Sequence, residues 1–181
     1  MRRFAHVAIL SAVVLTVVFA QPRPPGNKLS PYVASPSRVV DMMLDMARVK
    51  QGDVVYDLGS GDGRILIAAA NRHAQAVGVE LNPKLVADAT AEISRAGVAD
   101  RAKVIQGDVL TTDISGANVV TIYMDTSSNT KLRPQLEKYL KPGARVVSHD
   151  AEIPGWKPIL VQRTQEGRNH TIYLYEIGAT K

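Results

Sequence analysis

Between residues 54 and 64 the chain reads Val54-Val55-Tyr56-Asp57-Leu58-Gly59-Ser60-Gly61-Asp62-Gly63-Arg64, an apolar run that reaches a carboxylate and then turns through alternate glycines. Gly59, Gly61 and Gly63 remove every second side chain, so the backbone can bend tightly and lie against a ligand. The N–H groups that open the following helix favour an anion there. The spacing is GxGxG, with Arg64 where the dinucleotide fingerprint GxGxxG would place its third glycine. Twenty-one residues beyond Gly59, the short apolar run Val77-Gly78-Val79 ends on Glu80, a carboxylate placed to accept both hydroxyls of a ribose. Val104-Ile105 leads in the same way to Gly107-Asp108. Three strand-end signals in succession describe one crevice that takes a nucleotide-type ligand.

The elements that must position these residues alternate. Apolar runs predict strands over 54–58, 76–80, 102–106, 118–124 and 144–149, and helical spacing predicts helices from Ser37 to about Arg48 and over 63–72, 83–96 and 130–140. Such alternation means a mostly parallel sheet with helices on both faces. Pro158–Arg163 and His170–Ile177 are strand-like runs joined by the polar stretch 164–169, which predicts a terminal antiparallel hairpin and a seven-stranded sheet in all.

Ahead of this domain, Met1-Arg2-Arg3 precedes an uncharged apolar stretch from Phe4 to Ala20. It predicts an export signal cut before Gln21, which would place the domain in the periplasm or cell envelope. The alternative is an uncleaved anchor that associates residues 4–20 with a membrane. Residues 21–30, rich in proline and polar side chains, predict a flexible linker, and residues 31–181 the folded domain. Loss of Arg2 and Arg3 lowers the formal charge of +5 by two. The remaining Lys and Arg are dispersed and aromatics are few, so no nucleic-acid partner is expected. The chain has no cysteine, no Gly-x-Ser-x-Gly elbow, and no His, Asp and Glu at metal-ligand spacing, which disfavours thiolate, triad and metal chemistry.

With strand, glycine turn, strand-Glu and strand-Gly-Asp in order, the chain resembles the class I S-adenosylmethionine (SAM)-dependent methyltransferases and their Rossmann-like α/β fold. Within them it is most similar to the small protein-lysine methyltransferases, both the archaeal broad-specificity type and the type that acts on the ATP synthase c-ring protein. The resemblance spans about Pro31 to Gly178. It is carried by Pro31-Tyr32-Val33-Ala34-Ser35-Pro36, the glycine turn, Gly78-Val79-Glu80-Leu81-Asn82, Leu132-Arg133-Pro134, Leu140-Lys141-Pro142-Gly143, Arg145-Val146-Val147-Ser148-His149, Gly155-Trp156 and Asn169-His170-Thr171. The family usually has a proline at the position of Ala34 and an apolar residue at that of Asp125. The resemblance implies SAM as cofactor: Asp57, Gly59, Gly61 and Gly63 at the methionine end, Glu80 at the ribose and Asp108 at the adenine. Asn82 is a further expected cofactor contact, and Tyr123, near the end of the fourth strand, either faces the methyl group or fills the sheet face. It implies a protein substrate with an accessible lysine.

SAM is already activated, so the protein's main task is to align acceptor, methyl and sulfur. A lysine with a reference pKa of about 10.4 must also lose a proton, which a carboxylate against the amine would oppose. Asp125 therefore suits steering of a cationic side chain, Asn129 suits orientation of a neutral amine, and Tyr32 can close over the cofactor. His149 at the rim is a possible base, His170 is expected to be structural and Trp156 to cap the core. A small-molecule acceptor, a non-catalytic SAM-binding module and, least favoured, a nicotinamide dehydrogenase are the competing readings.

Overall fold

The computed structural model describes residues 32–179; the leader and linker expected over 1–30 lie outside them. In chain order the elements are α1 (Ser37–Met46), β1 (Val54–Leu58), α2 (Arg64–Asn71), β2 (Gln75–Glu80), α3 (Pro83–Arg95), β3 (Ala102–Gln106), β4 (Val119–Ile122), α4 (Thr126–Tyr139), β5 (Arg145–His149), β6 (Leu160–Glu166) and β7 (Arg168–Glu176). They form one seven-stranded sheet in the order β3-β2-β1-β4-β5-β7-β6. β1 to β5 are parallel, and β7 runs antiparallel to both β5 and β6. The order reverses between β1 and β4, and open α/β sheets bind ligands outside the carboxyl ends of strands at such a switch point. This is the predicted fold.

The core divides by strand alternation. Val55, Val119 and Val147 face one layer with α1, α2 and Ile93 of α3, while Leu58, Val120 and Val146 face the other with Leu132 and Leu136 of α4. Trp156 lies in this second layer against Tyr175, its Nε1–H donating to Glu137 Oε1 at 3.0 Å, which fits the expected cap. Among the described residues no helix is long and apolar enough to cross a membrane.

Three boundaries differ from expectation. β4 stops at Ile122, and residues 123–125 leave the sheet. α4 begins at Thr126, four residues early, because Asp125 accepts the Ser128 N–H at 2.9 Å and caps the helix. The hairpin is tighter than the polar stretch suggested: Thr164, Gln165 and Glu166 pair with His170, Asn169 and Arg168, leaving Gly167 alone at the tip with φ 76°. β6 is an edge strand with little buried surface, so it needs no apolar alternation to form.

Gly78 lets the glycine turn settle on β2. A Cβ added there would lie 2.4 Å from Ser60 Oγ and 2.6 Å from Leu66 Cδ1. Gly78→Ala is expected to cost about 1–3 kcal/mol in urea unfolding, the usual penalty of overpacking. By displacing Ser60 it should also weaken SAM binding, measurable by calorimetry on the same sample.

Candidate active site

The glycine turn leaves β1 at the switch point with Gly59, Gly61 and Gly63 all at positive φ (83°, 53° and 79°). Most of its N–H groups are already engaged within the protein, contrary to expectation. Gly59 N–H and Ser60 N–H donate to Val79 O, Gly61 N–H to Glu80 Oε2, Gly63 N–H to Ser60 O and Arg64 N–H to Asp62 Oδ1. The turn is instead flanked by the carboxylates of Asp57 and Glu80, while that of Asp62 is paired with Arg64. A pyrophosphate would meet repulsion here, whereas a cationic ligand would be attracted. That disfavours the dehydrogenase reading on geometry.

Asp57 is buried, and Thr121 Oγ1–H donates to its Oδ1 at 2.7 Å from the neighbouring strand. Burial pushes its pKa up to about 7, against the Thr121 hydrogen bond and with help from the Asp62 and Glu80 charges. Among the described residues no Lys, Arg or His forms an ion pair with it. A buried carboxylate without a cation fits a ligand that brings one, as the α-ammonium and sulfonium of SAM would.

Glu80 closes the other side. Its Oε2 accepts from Gly61 N–H at 3.1 Å and its Oε1 from Asn82 N–H at 2.8 Å, leaving lone pairs for a diol. Asn82 contributes that N–H, while its side chain caps α3 by accepting from Lys84 N–H. Asp108 accepts from Leu110 N–H at 2.9 Å and shapes the turn after β3. Tyr32 lies across the glycine turn: a Cβ on Gly61 would come within 2.1 Å of its ring. Burial and the Asp62 carboxylate raise the pKa of its hydroxyl. A Cβ on Gly59 would stand 3.1 Å from Met124 Cε, which places the turn beside the end of β4.

The acceptor-side expectations need revision. Asn129 is fully buried: its Nδ2 donates to Ser148 Oγ, Ala151 O and Glu152 O, so it fastens the loop after β5, while its Oδ1 has no partner among the described residues. Asp125 engages Ser128 through both oxygens as the α4 cap, so its first role is structural. Tyr123 stacks on His149 at 3.9 Å between ring centroids, with its hydroxyl 3.5 Å from Asp150 Oδ2.

The adjacent pair His149 and Asp150 meets the distant His170 where β5 pairs with β7. His149 Nε2 lies 2.8 Å from His170 Nδ1, and its Nδ1 lies 2.9 Å from Ser35 Oγ. Burial pushes the His149 pKa down to about 4, against the attraction of Asp150. A fully buried imidazole of such low basicity is a poor base for an ammonium, so the rim histidine reads as a structural link. Sequence reasoning also missed Thr121 and Arg168, and placed Asp150 beside His149 on the rim without a role. Thr121 could have been found as the one polar residue in the strand Val119-Val120-Thr121-Ile122.

A switch-point crevice holding a buried carboxylate, a glycine turn and a strand-end Glu under a tyrosine defines a SAM-dependent methyltransferase of class I. The chain belongs to the ANTKMT methyltransferase domain family, whose model matches residues 57–160. It is 51% identical to a protein-lysine N-methyltransferase of Saccharolobus islandicus, over 83% of this chain and 96% of that protein. It is 34% identical to the adenine nucleotide translocase lysine N-methyltransferase of Mus musculus, over 84% of this chain and 68% of that longer protein. The structure also matches an RNA methyltransferase from Salinibacter ruber in complex with S-adenosylhomocysteine. That match has a TM-score of 0.75 and 47% identity, and covers 80% of this chain and 94% of that one.

Proposed function

We propose that this methyltransferase N-methylates lysine side chains of proteins. The observation that carries the reading is the 51% identity across 96% of an archaeal protein-lysine N-methyltransferase. SAM supplies an activated methyl group. The chain's own residues would hold it, Asp57 and the glycines at the methionine end, Glu80, braced by the Asn82 N–H, at the ribose, Asp108 at the adenine, and Tyr32 excludes water above Gly61. Desolvation at the rim lowers the acceptor ammonium's pKa, so that it releases its proton to solvent rather than to His149.

The rival acceptor is RNA, named for the Salinibacter ruber neighbour. Dispersed basic residues argue against it. Incubation with labelled SAM and an extract containing both protein and RNA separates the two. Label on lysine supports the proposal, and label confined to RNA or to small molecules overturns it.

Tyr32→Phe is expected to lower turnover several-fold while changing the SAM dissociation constant less than twofold, because the ring that covers Gly61 remains and only the hydroxyl near Asp62 is lost. Equal loss of both would reduce Tyr32 to a packing residue. We further propose that residues 1–20 direct the domain to the cell envelope. Mass spectrometry of the mature protein should find Gln21 as the first residue, and an intact Met1 would favour an anchor.

A further inference from the structure

At the carboxyl ends of β4 and β5, Tyr123 and Asp150 hold a cation that the chain itself supplies. Arg168, from the tip of the β6–β7 hairpin, donates through Nη2 to Tyr123 Oη at 2.5 Å and to Asp150 Oδ2 at 3.0 Å. The two receptors are built in. Tyr123 is backed by the buried His149 ring, and Asp150 is fixed by the Thr171 N–H on its Oδ1 at 2.9 Å and by His170 Nδ1 at 3.1 Å from its Oδ2. Asp150 is held at φ 62°, in the left-handed region, so the chain accepts backbone strain to aim this carboxylate. The cation is not built in. The Arg168 side chain is 61% exposed beside a one-glycine tip, so solvent borders it on the outer side.

This clasp stands on the rim where open α/β sheets bind ligands. It is one residue from Met124, which borders Gly59 of the cofactor turn. Two oxygens converging on one nitrogen suit the three donors of an ammonium as well as one edge of a guanidinium. Exchanging one cation for another leaves Asp150 paired throughout, whereas a second charge brought to a filled clasp would not.

We infer that the Tyr123–Asp150 clasp is the docking point for the substrate's lysine ammonium and that Arg168 is a resident competitor for it. The inference rests on the lysine-acceptor reading. It deepens that reading by assigning entry and selectivity for a cationic side chain to Asp150, with Arg168 setting the threshold. While Arg168 fills the clasp, the apparent affinity for the acceptor falls by the fraction of time the clasp is open.

Two measurements on the full chain test this. In the first, the Arg168 guanidinium is followed by NMR in arginine-labelled protein and assigned by its loss in Arg168→Ala. Nα-acetyl-lysine methylamide should shift that signal toward the free position, and the norleucine counterpart should not. Equal response to both, or no response to the lysine compound, overturns the clasp. In the second, methyl transfer to a lysine peptide from the labelled-extract experiment is compared across variants. Arg168→Ala should lower KM for the peptide between two- and tenfold. Asp150→Asn should raise it at least tenfold, with the SAM dissociation constant changed less than twofold in both. Asparagine tolerates the left-handed backbone and keeps the acceptor for Thr171 N–H, so the variant should fold. In the double variant the gain from Arg168→Ala should vanish. A KM that is unchanged or raised by Arg168→Ala would make the arginine a structural partner of Asp150. If wild-type protein labels no lysine yet the lysine amide displaces Arg168, the acceptor proposal fails and the cation site stands.

Discussion

Asp57→Asn should abolish the pH dependence of SAM binding, weaken that binding about 100-fold or more at pH 8, and make the ligand-free protein more stable above pH 7. The carboxyl has a folded pKa raised to about 7, chiefly by burial, against an unfolded value near 3.9. Between those values the folded state holds a proton that the unfolded chain has released, so this group's contribution to stability is present at low pH and is lost as pH rises toward 7. The full cost of the ionised carboxylate is about 4 kcal/mol above pH 7. Asparagine avoids that cost and can still accept from Thr121 Oγ1–H, but it adds a buried N–H pair whose unmet bond takes back about 1–3 kcal/mol. A net gain of about 1–3 kcal/mol in ligand-free unfolding at pH 8 is the expected result.

SAM binding runs the other way. Its positive charges require the ionised carboxylate, so affinity should rise about tenfold per pH unit below 7 and level off above it. Breaking a buried ion pair by removing one partner costs about 3–5 kcal/mol, which sets the 100-fold expectation. Calorimetric titrations from pH 5.5 to 8.5, with thermal melts of the ligand-free protein, read both effects. A flat profile in the wild type, with unchanged affinity in the variant, would remove Asp57 from the methionine end.

The surroundings that hold Asp57 are legible in the sequence only in part. The strand-turn-helix from Val54 to Arg64 is continuous, so β1 and the glycine turn are announced by local residues, and Glu80 follows at a spacing set by one helix and one strand. What the sequence did not announce was the use of the turn's N–H groups. Their partners, Val79 O and Glu80 Oε2, arrive from β2, so the turn became a backbone scaffold among carboxylates instead of an anion cradle.

The same distinction separates the acceptor rim from the cofactor crevice. Ser35, ahead of α1, meets His149 across 114 residues, and Arg168 meets Tyr123 across 45 through the register in which β7 pairs with β5. No periodicity encodes that register, because polar residues such as Gln165 and Asn169 form the hairpin's outer rungs. Asn129 illustrates the cost of reading position without burial. It lies at the right point along the chain for an acceptor ligand, but α4 starts early enough to turn it inward, onto Ser148 and the loop after β5. The early start has its own signal in Asp125 and Ser128, which a search for apolar spacing passes over because Thr126-Ser127-Ser128 is polar and weak in helix propensity.

Glu80→Gln tests whether the second carboxylate acts by charge and acceptor count, and its effect on SAM should be comparable to that at Asp57. Both carboxylate oxygens already accept backbone N–H groups, from Gly61 and Asn82. A glutamine of the same shape must turn its NH2 toward one of them, so two donors face each other and either the glycine turn or the start of α3 loses its anchor. The ribose loses an acceptor for one hydroxyl as well. With hydrogen bonds to a charged group worth about 1.5–3 kcal/mol each, SAM affinity should fall between 10- and 1,000-fold, and ligand-free stability should fall by about 1–3 kcal/mol. A ligand without the 2′-hydroxyl separates these contributions. If Glu80 holds the diol, 2′-deoxy-S-adenosylhomocysteine should bind wild type weakly and lose much less than SAM on going to Glu80→Gln. Parallel losses for both ligands would mean that Glu80 acts only by holding the glycine turn in place.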